Sequence, residues 1–170
     1  MPNTYTKIAS NTVGSGGVSS VTFSSIPNTY TDLLINVSGR SDTGAAFSGL
    51  VIAFNGSSAN YTLRWLGDAG GGAVSYTQST FGYNHLFYIA GNGATTTTFG
   101  NGSIYIPNYA SANYKAVSAD GANGNNNVAL YQGISTGLWS STSAITSLTF
   151  STGGNFMQNS TFTLYGISNA

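Results

Sequence analysis

Charge is nearly absent from this chain. Among 170 residues, Lys and Arg number 4, Asp and Glu number 4, and the formal net charge is zero. All four acids are Asp; glutamate does not occur. Ordinary soluble domains carry about a quarter charged residues, against 5% here. The shortage excludes function classes that run on charge. A nucleic-acid binder needs a basic stripe to neutralise phosphates. Polybasic membrane attachment needs a run of Lys and Arg. Neither is present, so neither nucleic acid nor membrane is expected as a partner. A neutral, charge-poor surface also gives copies little mutual repulsion, which favours self-association.

Cysteine is absent too. Disulfides and thiolate metal sites are thereby excluded. No basic segment followed by an apolar run occurs at Met1-Pro2-Asn3-Thr4, so no secretory signal is expected. No apolar stretch reaches the length of a membrane span.

What fills the chain is glycine, serine, threonine and asparagine: 23, 24, 21 and 18 residues, half of the total. Such composition can signal disorder, but a hydrophobic fraction of 41% with 13% aromatics supplies the burial that disordered chains lack. The length fits one domain over 1–170.

The dominant period is two. Val21 and Phe23 alternate with Thr22 and Ser24; Leu33, Ile35 and Val37 alternate with polar neighbours. Leu50, Ile52 and Phe54 share a face, as do Tyr61, Leu63 and Trp65. Alternation puts one set of side chains on a core and the other in solvent. Further strands are expected at Tyr5–Ser10, His85–Ala90, Ser103–Pro107, Tyr114–Ala119, Val128–Ile134, Ile145–Phe150 and Thr161–Ile167, about ten in all. Between them lie segments of turn composition, among them Gly14–Gly17, Asn55-Gly56, Gly70–Gly72, Gly91–Gly93, Gly121–Asn127 and Gly153-Gly154, where Gly and Asn tolerate positive φ. No segment has a helical period. The expected fold is all-β: a two-sheet antiparallel sandwich, jelly-roll-like, with little or no helix. Its core is expected to hold Phe23, Leu33, Ile35, Val37, Ile52, Phe54, Leu63, Leu148, Phe150, Phe162 and Leu164, with Trp65 beside them.

Few residues offer chemistry. His85 is the only histidine, and a Ser-His-Asp triad would need it as base; the plainer reading is a surface or subunit-contact residue. Asp32, Asp42, Asp68 and Asp120 sit in or beside different turn-like segments and read as turn and cap residues. A glycosidase needs two carboxyl groups flanking one bond. The stretch from Asp120 to Asn127 carries hard oxygen ligands that suit calcium, but its spacing is not that of an EF-hand, and it reads as an Asn/Gly turn. Gly67–Gly72 lacks the ending of a phosphate loop. No catalytic residue, cofactor or metal is expected. The aromatics stand out instead. Tyr83, Tyr88, Tyr105, Tyr109, Tyr114 and Tyr131 lie on or beside polar segments, and Trp139 precedes Ser-Ser. Tyr and Trp bring large rigid area and a polar tip to interfaces, so these seven form the candidate interaction surface.

Several segments are familiar in kind. Tyr5-Thr-Lys-Ile-Ala-Ser-Asn-Thr-Val-Gly14 and Val21-Thr-Phe-Ser-Ser-Ile-Pro-Asn-Thr-Tyr-Thr-Asp-Leu33 resemble the N-terminal pattern of small virion-associated proteins of tailed bacteriophages. Ile104–Tyr109, Gly137–Ser140, Ile145–Phe150 and Ser160–Ile167 are similar to the same group, so the likeness runs nearly end to end. It consists of packing and turn residues, not of a catalytic signature. The resemblance implies a place on the surface of a phage particle: a capsid decoration, cement or head-fibre protein, or part of a tail fibre. The partners it implies are the chain itself, as a homotrimer, and the major capsid protein or another virion protein. A tail-fibre role would imply a host-surface glycan as partner.

Overall fold

The computed structural model describes residues 4–69, 71–79, 84–125 and 130–168. Twelve strands form two antiparallel sheets, and the described residues contain no helix. The strands are β1 (Tyr5–Thr12), β2 (Val18–Phe23), β3 (Asp32–Gly39), β4 (Phe47–Phe54), β5 (Tyr61–Ala69), β6 (Ala73–Ser79), β7 (Asn84–Ala90), β8 (Gly100–Ile106), β9 (Lys115–Gly124), β10 (Leu130–Trp139), β11 (Leu148–Phe156) and β12 (Thr161–Ile167). The large sheet runs β1-β12-β3-β8-β9-β10-β5-β6, and the small one β2-β11-β4-β7. The chain passes back and forth between the sheets. Without β1, β12 and the β9–β10 hairpin, four strands remain in each sheet, interleaved as in a jelly roll. The hairpin is inserted between β8 and β5 and widens the large sheet.

Period-two alternation drives this arrangement. All eleven expected core residues are buried, and Trp65 with them. Rings from both sheets meet in the middle: Phe150 lies 5.3 Å from Phe162, and Phe156 5.0 Å from Phe162. Burying such side chains stabilises by about 1.5–3 kcal/mol each.

Three details depart from the sequence reading. β6, with Val74 and Tyr76 alternating with Ser75 and Thr77, was not expected as a strand. The expected turn at Gly121–Asn127 begins as strand, since β9 continues to Gly124; Asn126 and Asn127 lie outside the described residues, as do Val128 and Ala129 of the expected strand Val128–Ile134. Finally, many glycines sit inside strands, not in turns. Phe87 of the small sheet lies across Gly102 and Gly121 of the large one, where a Cβ would fall 2.5 Å from its ring. Trp65 lies over Gly67 and Gly133 in the same way, at 2.6 Å. A ring flat on a sheet needs bare backbone beneath it, and only glycine leaves that space.

Candidate functional site

Four of the eight charged residues have structural employment. Arg40 is buried, and its guanidinium donates to the carbonyls of Thr95 at 3.0 Å, Thr98 at 2.8 Å and Ala94 at 3.3 Å, and to Thr98 Oγ1 at 3.2 Å. It ties down the loop between β7 and β8. Lys115 is also buried; its Nζ donates to Ser111 O at 2.7 Å and to Asn113 O, and burial pulls its pKa below the ordinary lysine value. Asp32 accepts from Tyr105 Oη at 2.7 Å and from Asn108 N at 2.8 Å. Asp42 accepts from Asn155 N at 2.7 Å and Nδ2 at 2.9 Å. A carboxylate or a cation holding backbone and side-chain partners fixes loops strongly in a charge-poor molecule.

The six expected contact residues among the described ones divide into three groups. Tyr109 and Trp139 are corrected: both are core residues, not surface ones. Tyr109 is 0% exposed and donates its hydroxyl to Pro27 O; burial raises its pKa. Trp139 is 4% exposed, stacked on Tyr61 at 6.2 Å with Phe54 against its edge. It ends β10 on an inward position, because that strand runs past Ile134, where the sequence reading stopped it. Tyr88 and Tyr131 are half-buried in a second aromatic cluster between the sheets, with Phe47, Trp65, Tyr76 and His85. His85 is thus not a free surface residue: its Nε2 is buried over Gly49 without a hydrogen-bond partner among the described residues, and burial lowers its pKa. Tyr105 and Tyr114 are exposed, at opposite ends of the β8–β9 connection and so at one end of the sandwich. Exposed Tyr5 belongs to the same end and lies near enough to Tyr105 to influence its hydroxyl electrostatically. The Tyr105 pKa is raised by its hydrogen bond to Asp32 first, and by burial second. Tyr83 lies outside the described residues.

The broadest candidate surface was not visible from sequence. It is the outer face of the large sheet over β8, β9, β10, β5 and β6. Register places three rows of side chains across it: Asn101, Ala122, Gln132, Asp68 and Ala73; then Ser103, Asp120, Ile134, Leu66 and Ser75; then Tyr105, Ser118, Thr136, Arg64 and Thr77. Ile134 is 59% exposed and Leu66 50%, side by side at the centre. Two shallow depressions of about 650 and 640 Å³ run over this face and share Leu66, Asp120 and Ile134 in their lining. Three of the eight charged side chains, Arg64, Asp68 and Asp120, stand on it. Asp120 accepts from Ser103 Oγ at 2.5 Å, and Arg64 Nη1 donates to Thr77 Oγ1 at 3.1 Å. Asp68 and Asp120 are two strands and one diagonal apart, roughly 11–12 Å between Cα atoms at standard strand spacing. Among the described residues no group of three His, Asp or Glu side chains is placed to hold a metal ion.

No protein-family model matches the chain, and no curated protein matches it.

Proposed function

We propose that this chain is a non-enzymatic structural protein of a bacteriophage particle, a capsid decoration protein of the cement or head-fibre kind that works by docking against neighbouring protein subunits. The phage setting comes from the sequence resemblance. The observation that carries the docking role is the outer face of the large sheet. Seven of the fifteen side chains in its three rows are Ala, Ser or Thr, set around an exposed aliphatic pair. Short side chains lose little rotamer entropy when covered, and exposed apolar area gains on burial. Repeated by particle symmetry, such modest contacts add up through multivalency. The employment of Arg40, Lys115, Asp32 and Asp42 in holding loops leaves little to run a reaction, since hydrolysis needs a positioned acid, base or metal.

A second reading is a receptor- or carbohydrate-binding module of a tail fibre. One observation favours it: Asp120, Gln132, Asn101 and Asp68 line a depression beside Leu66 and Ile134, which suits sugar hydroxyls with an apolar ring face. One experiment separates the two. Purified protein is added to particles stripped of it, and in parallel to host cells and a glycan array. Rebinding to particles with improved heat resistance supports decoration. Saturable binding to cells or glycans, weakened by Gln132→Ala or Tyr105→Ala, supports the fibre module instead. Release of reducing sugar, lost in Asp120→Asn, would overturn both.

A further inference from the structure

The outer face is complementary to itself. Asp120 on β9 and Arg64 on β5 flank Ile134 on the intervening β10, one row apart. Standard spacing of ~4.8 Å between strands and ~3.4 Å per residue puts their Cα atoms roughly 11–12 Å apart, beyond the reach of an ion pair within one chain. Among the described residues Arg64 meets a hydroxyl, that of Thr77, and no carboxylate.

Consider a second copy turned over about a two-fold axis that lies in the contact plane above β10, between Ile134 and Thr136. Orient the axis so that Arg64 of each copy falls on Asp120 of the other. On the lattice of the sheet, that same operation brings Ile134 of one copy to within roughly 3 Å, in projection, of Leu66 of the other, and the converse. Strands of the two sheets then cross at roughly 70°, near the orthogonal class of sheet packing. One axis therefore satisfies both the charged pair and the apolar pair, doubled by symmetry, while it also brings the two Asp68 side chains to within roughly 4 Å of each other in projection, a like-charge contact that weakens the pairing. The zero net charge of the chain sets no long-range repulsion against it.

From this geometry we infer that the outer face of the large sheet is a two-fold interface between copies of this chain, with Arg64–Asp120 ion pairs around an Ile134–Leu66 centre. The inference rests on reading this face as a protein-contact surface; it does not depend on the particle on which the chain resides. Five strands by about five residues cover roughly 400 Å² per copy in plan, at the small end of specific interfaces. The pair is accordingly weak in free solution and is reinforced where copies are held side by side.

Sedimentation of the purified chain at concentrations up to about 1 mM, the range in which so small an interface associates, reads it directly. The wild type is expected to shift from monomer to dimer, less so at high salt. Asp120→Arg and Arg64→Asp, each alone, place like charges together and are expected to lower the association constant by roughly tenfold or more. An equimolar mixture of the two variants restores both opposite-charge contacts, so it is expected to form a heterodimer at near wild-type strength. Ile134→Ser, which leaves the charges in place, is expected to weaken pairing as well. Circular dichroism checks that each variant is folded. A wild type that stays monomeric throughout overturns the inference. So does an oligomer, a trimer included, that ignores these variants, or a mixture that fails to pair. Particle rebinding with no pairing in solution would leave the decoration role standing and remove only this interface.

Discussion

Along β10 the inward positions are Gly133, Ser135, Gly137 and Trp139, while the outward ones are Gln132, Ile134, Thr136 and Leu138. The same strand serves two faces with opposite rules. Inside, the largest rings are seated on bare backbone: Trp65 rests on Gly67 and Gly133, and Phe87 on Gly102 and Gly121. Outside, Ala, Ser and Thr alternate with polar and charged side chains such as Gln132, Arg64 and Asp120 around one exposed aliphatic pair. An interior filled to crystal-like density tolerates little change in volume. A face awaiting a partner tolerates a great deal, because nothing yet presses on it.

The sharpest contrast is made by truncation inside. Phe150 is fully buried between Phe23 and Phe162. Phe150→Ala is expected to cost about 3–5 kcal/mol, read as a lowered denaturation midpoint in urea. Ile35→Ala should cost about 2–5 kcal/mol. If neither moves the midpoint, the inward face has been assigned to the wrong residues.

Adding a single methyl inside tests the glycine rule. Gly121→Ala places a Cβ 2.5 Å from the Phe87 ring, which must shift. Overpacking of this kind costs about 1–3 kcal/mol. The double change Gly121→Ala with Phe87→Ala should cost less than the sum of the two single changes, since removing the ring takes away the Cγ and Cδ2 contacts at 2.5 Å. Equal and additive losses would show that the ring and the glycine are not coupled.

Much of the inward face was legible in sequence because its signal is local. Leu33, Ile35 and Val37 announce their face by alternation, as do Phe162 and Leu164. The outward face was not legible, because it exists only through register. Asp120, Ile134 and Leu66 come from three separate strands, and nothing local says that they are neighbours. β6 carried an alternation signal in Val74 and Tyr76 that adjacency to Gly70–Gly72 masked. Tyr109 and Trp139 misled for the opposite reason: polar neighbours in sequence suggested exposure, whereas burial is decided by which strands lie on either side. The mid-strand glycines misled because glycine signals a turn and a ring seat with the same letter.

His85 breaks the contrast in a milder way, since it places a titratable group on the inner side. Its ring packs against Tyr88 at 5.0 Å and Tyr76 at 6.4 Å, and burial lowers its pKa from the ordinary 6.5. The unfolded chain therefore binds this proton more readily than the folded one. Stability is fully present above about pH 6.5 and is lost as pH falls toward the lower folded-state value. Carboxylates ordinarily titrate near pH 4, so a decline in melting temperature between about pH 6.5 and pH 5 belongs to His85. His85→Phe is expected to flatten that window. An unchanged slope in the variant would place the proton elsewhere.

The smallest expected effect lies on the outer face, and it is the one that makes the comparison informative. Ile134 and Leu66 are about half exposed or more, so cutting either back removes little buried area from the isolated chain. Surface substitutions away from special features change stability by about 0.5 kcal/mol or less. Ile134→Ser and Thr136→Ala should therefore leave the urea midpoint of dilute protein within that margin, while Ile134→Ser weakens self-association at high concentration. The two measurements must be made on one preparation, since a dimer would itself add apparent stability by mass action. At dilution that contribution vanishes, and the wild type and Ile134→Ser should coincide. At high concentration they should separate, with the wild type melting higher. A gap already present at dilution would mean that Ile134 supports the fold of a single copy, and the outer face would then obey the same rule as the inner one.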